Sequence, residues 1–185
     1  MTAMIMTYGR FNPPHKGHQL LVDRMKNFKV HYDRFIYISP TTGKNNPLDF
    51  ETRHHLVSKA FGDSDIIVSD IQHKDIFAAV KWVSELGYSE LHLVLGGDRV
   101  KELKKRLPMY NGTLYKFDSI HVYSAGNRDS SNGIEGMSAS KMRDAAKLGH
   151  YEYFESGLPL KLRSMSRDIY ERVRAACLSE SLITT

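Results

Sequence analysis

The feature that most restricts the fold is a regular alternation of short apolar runs with longer amphipathic ones. Met4–Tyr8, Phe35–Ile38, Ile66–Val68, Leu91–Leu95 and Ile120–Tyr123 have the length and residue types of buried strands. Between them, Lys16 to Phe28 carries Leu20, Leu21, Met25 and Phe28 at helical spacing. Asp49 opens a helix through Phe61, Asp75–Leu86 is stopped by Gly87, and Arg99–Leu107 ends at Pro108. Ser138 starts a helix to Leu148, and a last helix covers Ser164–Leu178. Strands that alternate with helices predict a parallel sheet covered on both faces. The expected class is therefore α/β: a Rossmann-like, doubly wound, three-layer α/β/α single domain spanning 1–185. Its core covers about residues 4–160, with a C-terminal helical extension over 161–185. In such sheets the ligand crevice lies beyond the carboxyl ends of the strands. The stretches after Tyr8, Leu95 and Tyr123 are the places to search.

Composition narrows the class. The 185 residues suit one domain, and 41% hydrophobic with 25% charged residues is globular rather than disordered. No apolar run approaches the roughly 18 residues of a membrane span, so no membrane partner is expected. The opening MTAMIMTYGRF has neither a basic segment nor a long apolar one, so no signal peptide is expected either. The single cysteine, Cys177, supports no disulfide framework and no multi-cysteine zinc site. A cytoplasmic location follows as the expectation. The net charge of +5 suits an anionic partner. Without a motif of stacking aromatics among basic residues, small phosphorylated molecules are expected and nucleic acid is not.

The turn after the first strand reads Gly9-Arg-Phe-Asn-Pro-Pro-His-Lys-Gly-His18. Gly9 and Gly17 let backbone amides approach a ligand closely. The helix that follows points its positive end at the crevice, which favours phosphate. His15 and His18 share a face in the first helical turn. Two imidazoles beside a phosphate can donate hydrogen bonds to charge that builds in a transition state. A metal site is a poorer rival, since no third ligand cluster and no His-Glu-x-x-His motif accompanies them. Far downstream, Gly136-Met-Ser-Ala-Ser-Lys-Met-Arg143 leads a flexible loop into a helix. Ser138 is an N-cap by type, and Ser140 and Arg143 follow in the first turns. Hydroxyls, unpaired amides and a guanidinium at a helix start make an anion clamp; a capped helix with a solvated basic end has the same sequence.

The first motif resembles the His-x-Gly-His signature of the nucleotidylyltransferase superfamily. Its Gly-Arg-Phe opening is most similar to the archaeal-type nicotinamide-mononucleotide adenylyltransferases. The second motif resembles that superfamily's Ile-Ser-Ser-Thr-x-x-Arg signature, with Ala139 departing at the middle serine. The segment from Ser140 to Pro159 also resembles compact, phage-encoded members. The likeness covers about residues 4–160. It implies that His15 and His18 bind and stabilise the transferring α-phosphate, aided by Gly9, Arg10 and Phe11. It implies that Ser138, Ser140 and Arg143 take the β- and γ-phosphates. The implied reaction moves a nucleotidyl group, AMP from ATP, onto a phosphorylated acceptor, with nicotinamide mononucleotide first and pantetheine, sugar or polyol phosphates as alternatives. Mg²⁺ would be carried mainly by the triphosphate. A non-catalytic nucleotide sensor is the rival of another class. Self-association is common in the family, so a homo-oligomer is compatible.

Six further positions call for separate readings. Gly96 permits close ligand approach after the fourth strand, and Asp98 either accepts from ribose hydroxyls or caps the next helix. Lys44 either meets an incoming phosphate or is a solvated loop residue. Asn46 and Arg53 lie where archaeal-type enzymes have acceptor-side residues, and Arg53 faces either that phosphate or solvent. Trp82 either packs in the core or, by the same resemblance, stacks on the nicotinamide ring.

Overall fold

The computed structural model describes residues 2–28, 32–43, 46–126 and 137–179. Five strands, β1 (Ala3–Gly9), β2 (Asp33–Ile38), β3 (Ile67–Ser69), β4 (Glu90–Leu95) and β5 (Ser119–Ser124), form one sheet in the order β3-β2-β1-β4-β5. Every neighbouring pair is parallel. This is the Rossmann order, and right-handed crossovers place the connecting helices on both faces.

Strand periodicity assigns the faces. On β1, Met4, Met6 and Tyr8 pack with Leu91, Leu93 and Leu95 of β4 against α3 (Ile76–Glu85) and α4 (Gly97–Met109). The alternate residues point the other way. Ile5 and Val94 meet Met25 of α1 (Lys16–Lys26). Ile36 and Ile38 meet Leu56, Val57 and Phe61 of α2 (Phe50–Phe61). Each such side chain contributes roughly 1.5–3 kcal/mol relative to exposure. A strand buried on both faces must be apolar throughout, which is why β1 reads as a continuous hydrophobic run.

After β5 the chain forms α5 (Ala139–Leu148), α6 (Tyr151–Gly157), a 3₁₀ turn (Leu160–Met165) and α7 (Ser166–Ser179). Met142, Phe154, Ile169 and Val173 from these elements join the apolar cluster built on α2. The C-terminal helices therefore brace α2 and hold the start of α5 against the sheet's carboxyl edge.

Three elements differ from the sequence reading. β3 sits one residue later, at Ile67–Ser69, on the sheet edge where only β2 fixes its register. α4 begins at Gly97 and runs through Pro108 to Met109, because a proline in the last turn removes one bond of a ladder that is ending anyway. α6 is short and follows Gly149, whose φ of +82° closes α5 with bonds to Ala145 and Ala146. Among the described residues, no helix is long and apolar enough to cross a membrane.

Candidate active site

The strand order reverses between β1 and β4, and the crevice opens there. Gly9 ends β1, and Phe11 follows with φ of +50°, a rare state for a residue with a side chain. Its ring is buried and lies against both Gly9 and His18. A Cβ on Gly9 would stand 3.0 Å from the Phe11 ring, so the glycine is set by packing. Asn12 then grips Leu48 at two points: its amide donates to the Leu48 carbonyl at 2.9 Å, and its Oδ1 accepts from the Leu48 amide at 3.1 Å. The loop between β2 and α2 is thereby locked to the first motif.

His15 and His18 start α1 as a reciprocal capping box. His15 Nδ1 accepts from the Gly17 amide at 3.0 Å, and His18 Nδ1 accepts from the His15 amide at 3.1 Å. These bonds satisfy two helix-end donors that would otherwise lack acceptors. They also choose the tautomer: with Nδ1 accepting, a neutral ring carries its proton on Nε2 and donates from there. The two rings lie 3.8 Å apart, centroid to centroid.

The second motif meets the first directly. Ser138 caps α5, its Oγ accepting from the Lys141 amide at 3.2 Å. Arg143 donates from Nη2 to Ser140 Oγ at 3.1 Å and from Nη1 to the Asn12 carbonyl at 2.8 Å, across 131 residues of sequence. Burial pushes the Arg143 guanidinium below its ordinary pKa, and Arg10 adds in the same direction. A Cβ on Gly17 would stand 2.9 Å from the Met137 carbonyl oxygen and 2.9 Å from the His15 ring. The glycine between the histidines is thus a second point at which the two motifs touch.

Together these residues enclose a cavity of about 170 Å³, lined on one wall by His15 and His18 and on the other by Ser138, Ser140 and Arg143. Residues 6–143, well over half the chain, match the Cytidylyltransferase-like family. The chain belongs to that family. It is 28% identical over 109 residues to a probable nicotinate-nucleotide adenylyltransferase of Thermosipho melanesiensis, covering 56% of this chain and 55% of the relative. The chain thus spans about half the length of that curated relative. The fold is shared with the nicotinic acid mononucleotide adenylyltransferase of Plasmodium falciparum complexed with NaAD, at TM-score 0.67 and 16% identity, over 92% of this chain and 98% of that one. It is also shared with a bifunctional NMN adenylyltransferase/ADP-ribose pyrophosphatase from Francisella tularensis, at TM-score 0.59 and 18% identity, over 95% of this chain and 53% of that one.

Within this member of the Cytidylyltransferase-like family, Gly9, Arg10, Phe11, Asn46 and Gly96 also line the cavity. Gly17 faces a small adjoining space behind the two histidines. Lys44 and the side chain of Asp98 lie outside the described residues; the N-cap of α4 is Gly96. One position is placed differently from its expected surroundings. Arg53 is fully buried and faces neither solvent nor cavity. Its guanidinium donates to the carbonyls of Arg10 at 2.8 Å, Ser39 at 2.6 Å and Asp49 at 3.0 Å, bracing the ends of β1 and β2 from beneath. Burial lowers its pKa, with Asp49 the largest opposing influence. Trp82 packs on the cluster under α3, 6.1 Å from the His73 ring and away from the cavity lining. The core reading of Trp82 is the one its packing supports.

Sequence reasoning missed Asn12, Thr7 and Arg99, which also line the cavity. Arg99 opens onto a second, wider space of about 570 Å³ that shares Tyr8, Gly9 and Arg10 with the first. Lys74 and Arg106 line it as further cations, and Arg106 lies 4.9 Å over the Phe77 ring. Its carboxylate, Asp75, is engaged as the α3 N-cap by the Ala78 amide at 2.9 Å. The signal for Arg99 was its place two residues into a helix after a cavity-facing strand; for Asn12 it was only its place inside the motif.

Proposed function

We propose that the protein transfers an adenylyl group from ATP to the phosphate of a pyridine mononucleotide, releasing pyrophosphate. The observation that carries this reading is the convergence of two distant motifs on one cavity, joined by the Arg143–Asn12 bond and the Gly17–Met137 approach. The α-phosphate lies against His15 and His18, whose Nε2–H donors meet the charge that grows on its oxygens. Ser138, Ser140 and Arg143 take the leaving phosphates at the start of α5. The acceptor enters the wider cationic space beside Arg10, Lys74, Arg99 and Arg106. One oxygen of its phosphate attacks the α-phosphorus in line. The bond to the bridging oxygen breaks, and pyrophosphate departs with the electron pair. The attacking phosphate is already ionised near neutral pH, so the chain acts by positioning and charge neutralisation rather than as a general base.

The described side chains lining the first cavity are cationic or neutral, a set that offers a hard cation no carboxylate anchor. Mg²⁺ therefore fits as a passenger of the triphosphate, where it supplies charge neutralisation. Relatedness to nicotinate- and nicotinamide-nucleotide enzymes supports the choice of acceptor. The test is pyrophosphate release from ATP and from CTP, each with nicotinate mononucleotide, nicotinamide mononucleotide, phosphopantetheine and a polyol phosphate. Release with ATP and a pyridine mononucleotide is expected. Release only with another pair reassigns the acceptor or donor, and none with any pair leaves a nucleotide-binding sensor.

A further inference from the structure

Glu90, His92 and His121 come together at the amino-terminal part of β4 and β5, on the α1 face of the sheet. Their donor atoms all lie within 4.8 Å of one another. Glu90 and His92 point the same way because they alternate on one strand. His121 is placed beside them because it pairs with His92 in the parallel register. Glu90 Oε1 stands 3.0 Å from His92 Nε2 and 3.5 Å from His121 Nε2. A tetrahedral zinc site with ligand bonds near 2.0–2.1 Å separates its ligand atoms by about 3.3 Å. These two distances bracket that value.

We propose that Glu90, His92 and His121 bind a divalent transition ion such as Zn²⁺, clipping the edge strand β5 to β4. Two imidazoles and one carboxylate are a borderline-soft set that suits zinc, cobalt or nickel and disfavours Mg²⁺. The surroundings orient the ligands. His92 is buried between the Tyr32 ring, stacked at 5.0 Å, and the Phe28 ring at 5.5 Å. Its Nδ1 lies 3.1 Å from the Tyr123 hydroxyl. When the ion binds, the His92 proton resides on Nδ1 and is donated to the Tyr123 oxygen, leaving the Nε2 lone pair for the metal. His121 is 45% exposed on the edge strand, so its ring can close the remaining gap and leave the fourth position to water. Arg24, 5.7 Å over the Tyr123 ring, is the neighbouring cation that the ion must tolerate.

The site lies on the order of 10 Å along β4 from the phosphate cavity, at 3.3 Å per residue from His92 to Leu95. It therefore acts on the edge strand and not on the transferring phosphate. The test uses the metal-free full chain titrated with ZnCl₂ by calorimetry and with CoCl₂ by visible absorption. One ion per chain, tetrahedral cobalt bands and a raised melting temperature are expected, unaffected by excess Mg²⁺. His121→Ala and Glu90→Gln should each abolish the cobalt bands. Tyr123→Phe should weaken binding by about 10- to 100-fold while leaving three ligands in place. The proposal is overturned by an absence of saturable binding, by displacement with Mg²⁺, or by binding that survives His121→Ala and is lost in His15→Ala.

Discussion

Gly17→Ala sets a local rule against a tertiary one. Gly17 lies in the first turn of α1, where alanine is the better helix former by about 0.5–1 kcal/mol. A local account therefore expects a more stable protein. The added methyl would stand 2.9 Å from both the His15 ring and the Met137 carbonyl oxygen, and ordinary contact begins near 3.4 Å. Relief requires a shift of about half an ångström, since the closest favourable carbon contacts are about 3.5 Å. Neither neighbour is a flexible chain end: one is main chain, and the other is a capping imidazole. Overpacking of this kind costs about 1–3 kcal/mol, which outweighs the propensity gain. The melting temperature should fall by a few degrees, at about 2–4 °C per kcal/mol for a chain of this size. The displaced motifs should reduce kcat/KM by about 10-fold, given that about 1 Å of misplacement costs about 100-fold. Thermal melts and pyrophosphate release on the same preparation decide it. A variant that melts higher and turns over normally would refute the claim that the two motifs are in contact through Gly17.

Other substitutions separate stability from chemistry. His18→Gln keeps an acceptor at the third helical position, where the capping box favours Gln, but removes the Nε2 donor; turnover should drop about 100-fold or more with melting temperature little changed. Arg53→Met removes the Nη1 donor shared by the Arg10 and Ser39 carbonyls, and urea unfolding should show a loss of about 1–3 kcal/mol. A selective rise in acceptor KM with stability intact would instead return Arg53 to the acceptor site. Arg143→Lys loses the fork that joins Ser140 Oγ to the Asn12 carbonyl, so KM for ATP should rise by about 10-fold. His73 has its pKa lowered by burial, so the unfolded chain takes up its proton first. Stability is whole above the unfolded value of about 6.5 and is lost as pH falls from there through the lower folded value. His73→Phe should flatten that limb of a melting-temperature profile.

Much of this was legible from residue order. Parallel strands buried on both faces must be continuous apolar runs, and helices between them must be amphipathic, so β1, β4, α1 and α2 could be read directly. The two motifs stood out because glycines, hydroxyls and cations at helix starts are the residue types that an anion site requires. The misplacement of Arg53 has a physical cause. It was judged by linear neighbourhood, and a side chain's direction depends on what packs over its helix. Arg53 is drawn inward because the ends of β1 and β2 present carbonyls with no strand partner beneath them. Arg99 and Lys74 carried no motif, since a long cation contributes to a cavity from any element that reaches its rim.

Sequence alone determined the strand and helix periods, the helix caps and the chemistry of each motif, because these depend on residues within a few positions of one another. Tertiary structure decided which motifs share a cavity, which arginine is a strut and which lines the cavity, and that His121 stands beside His92. Those outcomes depend on strand order, register and the packing of α5 and α7 over α2, which bring together groups far apart in the chain.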